Sequence, residues 1–286
     1  MFNEISTGAS KSTVDPRDIQ DLSLFSPLTG DYDIYTHIDM LNVEHQKKVG
    51  ACTAALKSYI EYLYFLKTGK YVRLSMAFLY IVTKIYIDKN YIEGSSLRSA
   101  INASMKYGVC TEDTMPSNFE LTHEQFLSQR IPDNAWNEAL GYRIGGYVSI
   151  PIEQSLIVAA LDKYKLLYVR YEVGEEWYTS ITGVITWAKE LILPLRSPKK
   201  VISGHAVILN RAKLGNKVEN HGRNTWSRLW GNNGDFYTFY ENYKPTEAWA
   251  VTLESQMPLV KPAGPVIQEK DWRKLLELLR FLKLIK

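Results

Sequence analysis

From Leu56 onward the apolar positions Leu56, Tyr59, Ile60, Leu63 and Tyr64 recur at helical spacing, which predicts a helix to about Lys67. Ser75 heads a second helix whose apolar content is Phe78, Leu79, Ile81 and Val82. A third follows Glu93-Gly94-Ser95-Ser96, with Ser95 or Ser96 as its N-cap, and runs to Tyr107 before Gly108 stops it. Later the period changes. A short helix from about Gln154 to Tyr164 leads into Leu166–Tyr171, which reads as a strand. His205–Leu209 and Phe236–Tyr240, rich in β-branched and aromatic residues, are further strands. Helices come first and strands follow, so the pattern predicts an α+β fold, not alternating βαβ units. Its helical lobe would cover about residues 46–120 and its β lobe about residues 140–255.

The two ends differ from this body. Residues 1–16 are rich in Ser, Thr, Gly and charge and read as a flexible N-terminal arm, and residues 17–45 as an extended lead-in to a domain spanning 17–255. Past Glu254, Pro258, Pro262 and Pro265 mark a stiff linker over the start of 256–286. Trp272, Leu275, Leu276, Leu279 and Leu282 then line one face of a closing amphipathic helix. That helix has three readings: docking on its own domain or a second copy, docking on another protein, or lying on a membrane surface.

Composition narrows the function classes. Hydrophobic residues make up 45% and charged residues 23%, ordinary for a globular protein with a real core. The net charge of +3 comes without a dense basic stripe interleaved with aromatics, so no nucleic-acid partner is expected. No apolar run approaches the ~18 residues needed to span a bilayer. Met1–Asp15 is polar, without the apolar segment of a secretion signal, which predicts a cytoplasmic protein. Two cysteines, Cys52 and Cys110, are too few for a disulfide framework and fit a reducing compartment. His37, His45, His123 and His221 show no metal-ligand spacing, so neither metal nor cofactor is expected.

Three short segments could carry chemistry. Gln46-Lys47-Lys48-Val49-Gly50-Ala51-Cys52 places Cys52 near a helix N-terminus, where unpaired N–H groups and the helix dipole favour a thiolate. Gly50 and Ala51 would let a substrate backbone approach. The alternative is a buried structural cysteine. Ser203-Gly204-His205-Ala206-Val207 holds a histidine that could equally be a satisfied core residue. Asn224-Thr225-Trp226, followed by Trp230, Gly231 and Gly234, could be a hairpin that only packs.

In order and spacing, the three together resemble the papain family of cysteine peptidases. Gln46, Gly50 and Cys52 stand in its Gln-x-x-x-Gly-x-Cys pattern, and His205 is followed by Ala-Val as the family's histidine is. Asn224, Trp226, Trp230, Gly231 and Gly234 follow its Asn-Ser-Trp-x-x-x-Trp-Gly-x-x-Gly segment, with Thr225 for Ser. Leu74-Ser75 with Phe78-Leu79-Tyr80, and Glu93 through Glu112, are similar to the bacterial and viral branch, and the likeness spans roughly residues 20–255. The resemblance implies a two-lobed fold with a cleft between a helical lobe and a barrel-like β lobe. It also implies a peptide or protein substrate and a Cys52–His205 thiolate–imidazolium pair, with Asn224 orienting His205. Trp226 would shield that bond, and Gln46 and the Cys52 N–H would stabilise the oxyanion. Ala206 would form part of a pocket wall, and Gly94 would line the cleft.

Departures from the pattern accompany it. Thr53 follows the nucleophile where a large residue is usual, Val49 replaces a disulfide cysteine, and the family's cleft glycine pair is Gly94 with Ser95. The roughly 45 residues before Gln46 are too few for the long propeptide of secreted members, which predicts an enzyme without a zymogen stage. These departures and the closing helix keep two further readings open. One is a structural or interaction module of the same fold, for example in a viral particle, and the other is a cell-wall peptide amidase.

Overall fold

The computed structural model describes residues 6–15, 18, 28, 30–179, 194–195 and 197–253, and the chain to Glu254 forms one compact unit. The linker and helix expected over 256–286 lie outside the described residues. In chain order the first strands are β1 (Ala9–Ser10) and β2 (Tyr32–Tyr35). A 3-10 turn at Cys52–Ala55 runs straight into α1 (Leu56–Thr68), which Gly69 ends in the left-handed conformation at φ 69°. The helix α2 (Met76–Val82) is capped by the Ser75 hydroxyl, which accepts from Phe78 N–H, and continues as a π-helical turn over Thr83–Asp88. Next come β3 (Ser95–Ser96) and α3 (Leu97–Lys106), with Ser96, one of the two predicted residues, as the N-cap. Two short helices, α4 (His123–Leu127) and α5 (Asp133–Ala139), complete the helical lobe.

The β lobe consists of β4 (Ile144–Ser149), α6 (Gln154–Tyr164), β5 (Leu167–Val173), α7 (Glu175–Thr179), β6 (Ser203–Leu214), β7 (Glu219–Arg223), β8 (Asp235–Phe239) and β9 (Glu247–Leu253). Seven strands pair antiparallel in the order β4-β9-β5-β6-β7-β8, with β2 added along the far end of β6. The α+β segregation and the two lobes are as the sequence predicts.

The sheet serves two cores because successive side chains point to opposite faces. Tyr168, Ala206, Ile208, Trp249 and Val251 face the helical lobe and join Cys52, Leu56, Tyr59, Phe78 and Ile101. Leu167, Val169, Tyr171, Val207 and Leu209 face the other way, with α6 and the tryptophans Trp177, Trp226 and Trp230. The lobes are also joined through Glu44–Gln46. Glu44 accepts the Ser227 N–H on its carbonyl, and the Gln46 N–H donates to the Thr225 carbonyl. The Glu44 carboxylate takes the fully buried Lys57 of α1 at 2.5 Å, and Lys57 also reaches Glu61 at 2.8 Å. A lysine in a dry lobe is tolerable only with such partners.

The N-terminal segment departs from expectation. The arm predicted to be flexible is held, over residues 6–15, along the cleft: β1 pairs parallel with β3, Ala9 opposite Ser95 and Ser10 opposite Ser96. Its Ser/Thr/Gly composition permits this because the contacts are made by its backbone, which composition does not report. A separate propeptide domain is not needed to cover the cleft; ten residues do it.

Candidate active site

Cys52 opens the 3-10 turn that becomes α1, at the helix start as its sequence context requires. Its sulfur is fully buried, beside the backbone N–H groups of Ala206, Gly8 and Thr53. Burial pushes the thiol up, and those donors, with the more distant Arg170 charge, offset only part of the rise. The lowered thiol pKa expected at a helix N-terminus is therefore overturned in this state: the arm seals the sulfur from water, and loss of hydration outweighs the helix end.

His205 lies next to the residue whose N–H meets that sulfur. Its Nε2–H donates to Asn224 Oδ1 at 2.5 Å, and the Thr225 N–H donates to the same oxygen at 2.7 Å. The bond fixes the tautomer and leaves Nδ1 as the nitrogen with a free lone pair. Nδ1 is buried and has no hydrogen-bond partner among the described residues. Burial lowers the His205 pKa to about 4 against the opposing pull of Asn224, so the ring is neutral here. The predicted thiolate–imidazolium pair is thus replaced by a neutral thiol and a neutral imidazole, both for want of water.

An aromatic box surrounds the histidine. Trp226, fully buried, packs its ring 4.8 Å from that of His205, and Trp177 lies at 5.3 Å from another side. Trp177 stacks on Trp230 at 5.5 Å, and its carbonyl accepts the Trp230 indole N–H. Tyr178 stacks on Trp226. The sequence reading found Trp226 but not Trp177 or Tyr178. Their signal was an aromatic pair just after a strand.

Gln46 is fully buried and its amide is oriented by Thr225, whose hydroxyl donates to Oε1 at 2.5 Å. The Nε2 group donates to the Val49 carbonyl and, at 2.7 Å, to the Ser6 carbonyl of the arm. The donor predicted to serve an oxyanion is thus taken by the chain itself. Gly50 is needed for close approach, since a Cβ there would lie 2.7 Å from the Glu93 side chain, whose Oε1 accepts the Gly50 N–H. Gly94 sits at φ +85° with its backbone against Gly8, and a Cβ on Gly8 would lie 2.6 Å from Gly94 Cα. Ser95 N–H donates to the Gly8 carbonyl at 2.7 Å, and Ala206 packs with Ala9 in the core that faces the helical lobe. Gln46, Thr225, Asn224 and His205 thus form one linked run, the Cys52 sulfur lies beside the backbone of Ala206 and Gly8, and residues 6–10 thread between them and Gly94.

The arm is fastened further out. The Ala9 carbonyl accepts from Arg170 Nε at 2.8 Å, and the Ser12 N–H donates to Glu247 at 2.7 Å. Arg98 binds the Thr13 carbonyl at 3.0 Å, pairs with Asp18 and lies 3.7 Å from Asp15. Thr7 shares a hydrogen bond with Tyr178. Cys110 is a second buried free thiol, raised by burial, with only its backbone engaged, in the pairing with Ser75. Among the described residues no group of three or more His, Cys, Asp or Glu could hold a metal ion, and no helix is long and apolar enough to cross a membrane.

No sequence-family model matches the chain, and no curated protein matches it. Solved structures do. Xylellain, a cysteine protease from Xylella fastidiosa, is similar at 21% identity with a TM-score of 0.72, over 88% of this chain and 97% of that one. Digestive procathepsin L 3 of Tenebrio molitor larval midgut is similar at 15% identity and a TM-score of 0.60, over 88% of this chain and 78% of that one. A stem bromelain precursor gives 17% identity and 0.60, over 89% and 79%. With the two lobes, the cleft between them and these neighbours in agreement, the chain has the papain-like cysteine protease fold.

Proposed function

We propose that this protein is a cysteine peptidase held latent by its own N-terminal arm, with Cys52 as nucleophile, His205 as base and Asn224 as the orienting residue. The observation that carries the reading is the His205 Nε2–H to Asn224 bond, which leaves a free Nδ1 lone pair beside the strand position whose N–H meets the Cys52 sulfur. Because His45 and His123 also leave a buried Nδ1 without a partner, the reading rests on the Asn224 bond and the neighbouring Cys52 sulfur together.

Latency follows from what the sulfur meets. The Gly8 N–H is turned to the sulfur and the arm fills the place a substrate would take. When the arm leaves, water returns, the thiol pKa falls and the imidazole pKa rises, and the proton passes from Cys52 to His205 Nδ1. The thiolate then attacks a substrate carbonyl carbon. Negative charge moves to the carbonyl oxygen, facing the Cys52 N–H and the freed Gln46 amide. His205 returns the proton to the leaving nitrogen as the C–N bond breaks, giving an amine and a Cys52 thioester. A water that gives its proton to His205 hydrolyses the thioester, releasing the acid and restoring the thiol. The Trp226–Trp177 box keeps the His205–Asn224 bond dry throughout.

A filled cleft also motivates the second reading, an inert module of the same fold. Labelling the full chain with a thiol-reactive epoxysuccinyl peptide, with adducts located by mass spectrometry, separates the two. The peptidase reading expects slow Cys52 labelling in the wild type, fast labelling in Gly8→Val, whose side chain cannot fit against Gly94, and loss of that gain when His205→Ala is added. Labelling at Cys52 no faster than at Cys110 in every form would establish the module.

A further inference from the structure

The cleft wall on the arm's side of the sheet is charged. On one rung of β6, β5 and β9, Ala206 lies opposite Arg170 and Arg170 opposite Glu247. Residues directly opposite one another share a face, and this face is the one turned to Ala9 and the helical lobe. Arg170 is 8% exposed, and its guanidinium lies flat against Gly204, where a Cβ would come within 2.5 Å of Nε and Nη2. Gly204 immediately precedes the catalytic histidine, so this cation borders the reacting centre.

A buried guanidinium ordinarily has a carboxylate partner. Arg170 makes neutral bonds instead: Nε to the Ala9 carbonyl at 2.8 Å and Nη1 to Thr246 Oγ1 at 2.7 Å. Among the described residues the carboxylate within ion-pair reach is Glu172, at the limit of 4.0 Å and half-exposed. Glu247 is turned elsewhere, with Oε1 on the Ser12 N–H and Oε2 on the Trp249 indole at 3.2 Å. The arm meets Arg170 here through the Ala9 main-chain carbonyl, and Ala9, 1% exposed, brings no charged side chain to it. Further along, Arg98 stands over the Trp249 ring at 5.1 Å, and the anions that it holds are Asp15 of the arm and Asp18 just beyond it. The cleft thus already holds carboxylates of its own chain at its outer cation and gives the inner one only the half-exposed Glu172, at 4.0 Å.

We propose that Arg170 is the specificity-determining residue of this cleft, selecting peptides that place an Asp or Glu side chain where Ala9 now sits, with Arg98 extending the acid preference outward. The proposal rests on the peptidase reading above. An incoming carboxylate supplies the close, buried partner that Glu172 at 4.0 Å does not, whereas an apolar side chain of equal size leaves the guanidinium with neutral bonds alone inside the cleft.

The test uses the full-length Gly8→Val protein and an internally quenched peptide library scanned with Asp, Glu, Asn, Leu and Lys at four positions on each side of the cleaved bond. Asp or Glu at one position should raise kcat/KM over Asn and Leu by about tenfold or more, the discrimination expected when a buried polar partner is supplied or withheld. That ratio should vanish in Arg170→Gln and turn towards Lys in Arg170→Glu. It is an internal ratio, so a loss of folded protein does not alter it. Turnover without an acid preference, a preference indifferent to Arg170, or one that emerges only in Glu247→Gln would overturn the proposal. Absence of both turnover and Cys52 labelling in Gly8→Val would instead remove the peptidase reading, and this proposal with it.

Discussion

His205 and Ala206 are adjacent in β6, yet they face two different environments. The His205 side of the sheet is a closed aromatic box of Trp177, Trp226, Trp230 and Tyr171, in which the imidazole is held by one strong bond to Asn224. The Ala206 side is a charged trough filled by residues 6–15, whose contacts are mostly backbone hydrogen bonds and ion pairs. Side chains packed on every side do not leave without unfolding the lobe. A strap held by its main chain can leave and return. On the proposed function, the difference separates a site built into the packed core from a covering segment held mainly by its main chain.

The sharpest way to break the first side is His205→Ala. In the Gly8→Val background it should lower turnover by roughly 10³-fold or more, measured with a quenched peptide, because the thiol loses its base. Asn224→Ala keeps the imidazole but frees it to rotate, and a loss of about 10²-fold in kcat, with KM little changed, should result from misplacement alone.

The second side breaks by different means. Gly8→Val should raise the Cys52 labelling rate by about tenfold or more through a larger open population, with no change in the labelling of Cys110. Acid should instead act on the first side. Burial in the aromatic box holds the His205 pKa at about 4, against about 6.5 for a hydrated histidine, so the folded state binds fewer protons between those values. Folding is therefore fully favoured above about pH 6.5 and weakens as pH falls towards 4, by at most about 3 kcal/mol. The denaturation midpoint should fall over that window in the wild type and stay flat in His205→Ala. Smallest is Arg98→Gln, which removes the outer anchor to Asp15 and Asp18. It should raise labelling only a few-fold, since an ion pair near the surface contributes about 1 kcal/mol.

What the sequence made legible divides along the same line. Cys52, His205, Asn224, Gln46 and Trp226 were readable because each role demands one residue type at a set spacing. The main helices were readable because α1, α3 and α6 each carry an uninterrupted apolar period. The strands β7, with Glu219, Asn220 and His221, and β4, with Gly145 and Gly146, escaped because tertiary pairing holds them where local propensity does not. The arm escaped for a deeper reason. Its docking depends on Gly8 meeting Gly94 backbone to backbone, and the absence of side chains leaves no pattern to read. Arg170 looked like one charge in an apolar strand, and the thiol and imidazole pKa values moved opposite to expectation because burial, which the motif does not report, desolvates both groups.

The segment Glu44–Gln46 has a mechanical consequence. It is bonded to Thr225 and Ser227 of the β lobe through its backbone and to Lys57 of α1 through the Glu44 carboxylate. Together with the core that the two halves share, this staple sets their mutual register beside Gln46, so a shift of either half is felt at once in the Gln46–Thr225 bond and in the Asn224 side chain next to it.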